Sequence, residues 1–118
     1  MVRSFKGLEV WKEAIEIGKR VYEVTKDFPK SEMYGLVSQL RRAVVSVSSN
    51  IAEGCGRRTD KDFVNFLHIA MGSIREVESQ LFISKELGYL DNIKLIELEK
   101  ELDSLGKKLM GFINYISE

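Results

Sequence analysis

One cysteine, one histidine and two arginine pairs are the side chains of this sequence best suited to chemistry. Cys55 lies in Gly54-Cys55-Gly56-Arg57-Arg58-Thr59, where neighbouring guanidinium groups would favour a reactive thiolate. A nucleophile also needs a base, and His68 lies about three turns down the next helix. A small residue in a tight Gly-Cys-Gly turn accounts for Cys55 more simply. Di-iron chemistry, frequent in helical bundles, requires a Glu-x-x-His pair on each of two helices. The residue three before His68 is Asn65, so that inventory fails and His68 reads as a polar or partly buried helix residue. No catalytic residue, no metal site and no cofactor is expected.

The same Gly54–Thr59 segment suits anion binding better. Two glycines permit close backbone approach, Arg57 and Arg58 supply charge, and a following helix would begin with unpaired N–H groups. Phosphate is the ligand class this chemistry selects, although no Gly-Lys-Ser/Thr follows and the segment is no P-loop. The alternative is a helix–helix turn with solvated arginines. Upstream, Gln39, Arg42, Ser46, Asn50 and Glu53 form a polar stripe at helical spacing. A solvated helix face favours Lys and Glu, whereas hydroxyls, amides and arginines suggest contact with something. Ser73, Glu76 and Gln80 repeat the spacing further on, and the two stripes are expected to meet, with Arg42 pairing with Glu76 or Glu53, within the chain or across a subunit boundary.

The elements that must position these residues are helices. Val10, Ala14, Ile17, Val21, Val24 and Phe28 form one stripe from Leu8 to Asp27, flanked by Leu8, Trp11, Ile15 and Tyr22, and Phe28-Pro29 ends it. Ser31 is expected to cap a second helix with the seam Met33, Val37, Leu40, Val44, Val47 and Ile51, closed by the positive φ of Gly54 and Gly56. Thr59 with Asp62 forms a capping box for a third, whose seam is Phe63, Leu67, Ala70, Ile74, Val77 and Leu81, with Gly88 at its end. Asp91 or Asn92 caps a fourth, where Leu95, Leu98, Leu102, Leu105, Leu109, Phe112 and Ile116 keep a heptad. Similar lengths and short connections predict a single all-α domain over 1–118, an antiparallel up-down-up-down four-helix bundle.

Composition agrees. A length of 118 residues and 44% hydrophobic content support one core, and 31% charged residues with that content exclude a disordered chain. No apolar run approaches the roughly 18 residues that cross a bilayer, no signal-peptide core is visible at the start, and a lone cysteine suits the cytoplasm. The net charge is +0, yet residues 1–58 carry 11 basic against 7 acidic side chains and residues 59–118 carry 7 against 11. Such asymmetry favours a basic ligand-facing side or head-to-tail contact between copies. Most aromatic residues fall on or beside the seams, so no stacking surface for single strands is expected.

Four segments carry a resemblance. Phe5, Leu8, Val10-Trp11 and Ala14 open it, and Phe28-Pro29, Glu32, Tyr34-Gly35-Leu36 and Ser38-Gln39-Leu40-Arg41-Arg42-Ala43 continue it. Asn50-Ile51-Ala52-Glu53-Gly54, Gly56-Arg57, Phe66-Leu67, Ala70, Gly72-Ser73 and Glu76 complete it. Together they strongly resemble the four-helix bundle proteins encoded in intervening sequences of bacterial 23S ribosomal RNA genes, also labelled S23 ribosomal proteins. A related branch is the accessory variability determinant of diversity-generating retroelements. The resemblance implies a ring-shaped homo-oligomer, expected to be a homopentamer. By analogy with the related branch, it also implies a basic surface for nucleic acid and a reverse transcriptase-like partner.

These readings converge on a non-enzymatic, ring-forming bundle that binds structured RNA or a ribonucleoprotein, with RNA or DNA as the ligand class. Arg41, Arg42, Arg57 and Arg58 are the expected phosphate contacts, with Lys19 and Arg20 as weaker additions. Gln39, Asn50, Glu53, Ser73 and Glu76 are expected to organise the bundle or an interface. The alternative is a protein–protein adaptor whose charge asymmetry serves assembly alone.

Overall fold

Residues 4–118 are described by a computed structural model. Among them are four α-helices, α1 (Glu9–Thr25), α2 (Leu36–Cys55), α3 (Asp60–Glu86) and α4 (Asn92–Ser117), with short 3-10 turns at Phe5–Gly7 and Lys30–Glu32 and no strand. Their connections are brief, so consecutive helices pack side by side. The broadest contact joins α2 to α3, α1–α2 and α3–α4 follow, and a sparser α1–α4 contact closes the bundle. The backbones of the diagonal pairs, α1 with α3 and α2 with α4, do not approach closely among the described residues, and the buried residues of all four helices form one central core. The body measures 46 × 24 × 20 Å. None of its helices is long and apolar enough to cross a membrane among the described residues.

The core confirms the periodic seams. Phe63, Leu67, Ala70, Ile74, Val77 and Leu81 are all buried on α3, as are Leu95, Leu98, Leu102, Leu105 and Leu109 on α4. At the end of α4 the heptad fails: Phe112 and Ile116 are only partly buried, and Ile113 takes the core position. A straight helix turns every 3.6 residues, so a seven-residue repeat drifts by ~20° per heptad until the neighbouring position faces inward. On α1 the main stripe is inside, with Val24 partly buried, whereas Ile15 and Tyr22 of the flanking stripe remain exposed.

Helix starts follow the sequence in two cases. The Thr59 hydroxyl accepts from the Asp62 N–H at 3.1 Å, and the Asp91 carboxylate accepts from the Lys94 N–H at 2.8 Å. Thr59→Ala is expected to lower stability by about 1 kcal/mol, measurable as a shifted urea midpoint at unchanged slope. Gly88, with φ +82°, ends α3 as expected.

Ser31, in contrast, does not cap α2. A 3-10 turn occupies Lys30–Glu32, the helix begins at Leu36 behind Gly35, and Met33 is exposed instead of on the seam. Glu32 does the capping from further back: its Oε1 accepts from the Leu36 N–H at 3.3 Å. Its Oε2 accepts from the Tyr89 hydroxyl at 3.0 Å, tying this turn to the one between α3 and α4. The hydrogen bond to Glu32, then burial, then the Glu32 charge raise the Tyr89 pKa above the ordinary 10.0. Because the folded value is the higher one, the bond's contribution is complete below pH 10.0 and disappears as pH rises through that folded value. Thermal melts of wild type and Tyr89→Phe should therefore differ at neutral pH and converge in strong alkali.

Candidate nucleic-acid interface

Gly54 decides the geometry of the α2–α3 corner. It is buried in the last turn of α2, at negative φ, and a Cβ there would lie 2.7 Å from the Phe66 Cβ and 3.0 Å from the Phe63 Cδ1. Gly56 also keeps a negative φ, at −86°. Close packing of the incoming α3, not a left-handed turn, is what requires a glycine at 54. Of the segment Gly54–Thr59, Gly54 faces aromatic rings and Cys55 is buried at 2% exposure, so neither lines an open anion site and the Cys55 thiol is inaccessible as a nucleophile. Asp60 and Asp62 already supply negative charge to the first turn of α3.

Arg57 and Arg58 nonetheless project from this corner, both exposed. Arg57 donates to Glu53 at 3.1 Å and lies over the Phe66 ring at 4.6 Å, which holds its guanidinium in place without removing it from solvent. Arg58 makes no ion pair among the described residues. Glu53 is thus engaged with Arg57, and the expected Glu53–Arg42 pair is absent within the chain.

The other expected cations are dispersed. Arg41 is turned into the structure: its Nε donates to the Thr25 hydroxyl at 3.0 Å, its Nη2 to the Tyr22 carbonyl at 3.4 Å, and its guanidinium covers the Tyr22 ring at 4.6 Å. It serves the last turn of α1 through one carbonyl and one hydroxyl, so only part of its charge faces outward. Arg20 pairs with Glu101 and Lys108 with Glu13, two ties across the α1–α4 seam. The hydrogen bond that Lys108 donates to Glu13, then the Glu13 charge, raises the Lys108 pKa. Lys19 pairs with Glu16 at 3.3 Å and stays exposed. Arg42 is exposed and makes no ion pair among the described residues, fifteen positions and ~22 Å along the helix from Arg57. One phosphate cannot touch both, whereas successive phosphates of a longer nucleic acid can.

The two polar stripes do meet, through Ser46 and Ser73. The Ser73 hydroxyl donates to the Ser46 hydroxyl at 3.0 Å, and Asn50 donates to the Ser46 carbonyl at 2.8 Å and to its hydroxyl at 2.9 Å. Glu76 accepts from the Gln80 amide nitrogen at 3.4 Å, and the amide oxygen of Gln80 is buried with no hydrogen-bond partner among the described residues. Gln39 is exposed beside Arg42 and Glu76, where all three line one hollow of about 600 Å³. His68 is exposed on α3, and no cluster of metal-ligating side chains exists among the described residues.

Sequence reasoning missed Tyr34. It is 97% exposed at the rim of this hollow and of a second, of about 580 Å³, which Tyr22, Met33 and Val45 also line. The signal was present in Gly35, which marks the start of α2 and leaves the residues before it outside the helix.

Comparison with known proteins gives this chain a structural likeness and a family. A crystal structure of a protein of unknown function from the S23 ribosomal protein family, from Bacteroides thetaiotaomicron, superposes with a TM-score of 0.79 at 21% identity, covering 88% of this chain and 97% of that one. That likeness establishes the shared fold. None of the curated proteins matches the sequence. The family model for the 23S rRNA-intervening sequence protein matches residues 6–111, nearly the whole bundle with every helix represented, and the chain belongs to that family.

Proposed function

We propose that this protein is a non-enzymatic, antiparallel up-down-up-down bundle that assembles into a ring and binds structured RNA or a ribonucleoprotein in the cytoplasm. The observation that carries the reading is the pair Arg57 and Arg58, exposed together at one end of the bundle, with Arg58 unpaired among the described residues. Family membership supports an RNA setting. Lys19 is a weaker contribution, Arg20 is weaker still because Glu101 holds it, and Arg41 is largely committed to Tyr22 and Thr25. A protomer of net charge +0 offers little long-range attraction. Repetition of the arginine corner around a homopentamer compensates, because linked weak contacts gain avidity. A reverse transcriptase-like protein is a further candidate partner for the same basic surface.

Equilibrium binding of a labelled RNA hairpin at low salt tests this. Wild type should bind, and Arg57→Ala/Arg58→Ala should bind at least about tenfold more weakly, the loss of roughly 1.4 kcal/mol. If wild type binds neither hairpin RNA nor duplex DNA, the adaptor reading replaces this one.

A further inference from the structure

The face that carries Tyr34 combines exposed apolar side chains with charges of both signs. Tyr22, Met33, Tyr34 and Val45 are exposed there at 40%, 47%, 97% and 45%, around two adjoining hollows that share Tyr34, Ser38, Arg42 and Ser46. Tyr22 is held flat by the Arg41 guanidinium stacked on it. Several exposed cations elsewhere have a carboxylate partner, among them Lys19, Arg20, Lys26, Arg57, Arg75, Lys107 and Lys108. On this face Arg42 and Glu76 line the same hollow, yet neither forms an ion pair among the described residues. Charges of opposite sign stand close together and unpaired, among apolar side chains that a monomer would leave in water.

We infer that this face is the contact between copies of the chain, with Arg42 of one copy paired to Glu76 of the next and Tyr34 seated in the hollow beside them. A second copy is the occupant the chemistry favours. An unrelated partner would have to bring an acid and a base at matched positions, whereas a copy brings both by construction. The charge distribution points the same way: Arg42 belongs to the half of the chain with a balance of +4 and Glu76 to the half with −4, so a head-to-tail arrangement sets opposite signs against each other. Exposed aromatic and methionine side chains with an arginine at their edge have the composition of a contact centre. Hydroxyls and small residues along α2, Ser38, Ser46 and Ser49, let a neighbouring helix approach closely.

This inference rests on the assembly part of the proposed function, and it assigns Arg42 to protein contact, leaving Arg57 and Arg58 to phosphate. The test is the solution mass of the full chain by sedimentation equilibrium, with helicity checked by circular dichroism. Wild type should give a multiple of 13.5 kDa. Arg42→Glu, Glu76→Arg and Tyr34→Ser should each fall toward the 13.5 kDa monomer with helicity intact, since all three side chains are exposed. The double exchange Arg42→Glu/Glu76→Arg should restore the multiple, a rescue that a general surface effect would not give. A wild type of monomer mass overturns both the inference and the assembly reading. An assembled wild type whose mass survives all three single substitutions overturns this face alone.

Discussion

Gly54→Ala is expected to destabilise the bundle by about 2–3 kcal/mol, the upper part of the range for overpacking a filled core. The direction is informative because alanine is ordinarily the better helix former, by ~1 kcal/mol. Here the added Cβ would meet the Phe66 Cβ at 2.7 Å and the Phe63 carbonyl oxygen at 3.3 Å, atoms fixed to the α3 backbone that cannot swing aside. Relief would require α3 to move away from α2, and the most extensive helix contact in the molecule would loosen. Gly111→Ala should do the reverse. Nothing lies within 4 Å of a Cβ at that exposed position of α4, so the substitution should stabilise by about 0.5–1 kcal/mol. Urea denaturation of both variants checks the pair, and equal effects of one sign would refute the close approach at Gly54.

Phe63→Ala is expected to have a still larger effect, about 3–5 kcal/mol, against a typical domain stability of ~5–15 kcal/mol. The ring is 2% exposed, meets Phe112 edge to face at 5.5 Å, and fills the space that Gly54 leaves open. It therefore joins α2, α3 and α4 at one end of the bundle, directly beneath the Arg57–Arg58 corner. Its loss should also loosen Phe66 and with it the platform on which Arg57 rests. Calorimetric melting should show a large drop in midpoint. A shift comparable to that of a surface substitution would mean that this corner is not packed as described.

Much of this fold was legible because its code is local. A buried position every three or four residues identifies a helix and its inward face, and the seams of α3 and most of α4 needed nothing more. Thr59 and Asp91 were equally readable, since a cap bonds to an N–H only three residues ahead. The errors arose where a distant element sets the conformation. Gly54 reads as a terminator by its neighbours, but its reason is Phe66, twelve residues on. Ser31 looks like a cap until the Glu32 carboxylate, held also by Tyr89, is seen to reach Leu36.

The arginines divide along the same line. Sequence placed Arg41, Arg42, Arg57 and Arg58 together as one basic class. Only tertiary structure separates them: Arg41 is drawn onto Tyr22, Arg57 onto Phe66 and Glu53, while Arg42 and Arg58 are left unpaired among the described residues. Lys19 and Arg20 differ for the same reason, since Glu101 reaches Arg20 only because α4 lies alongside α1.

The decisive measurement is the affinity for a structured RNA across a salt series, wild type beside Arg57→Ala/Arg58→Ala. Each neutralised phosphate contributes roughly 0.7–0.9 to the slope of log affinity against log salt. Wild-type affinity should fall steeply with salt, and the variant should lose about 1.4–1.8 units of that slope for each protomer that contacts the RNA through both arginines. Absence of binding at low salt, or a slope that the two substitutions leave unchanged, would contradict the assignment of this corner to nucleic acid.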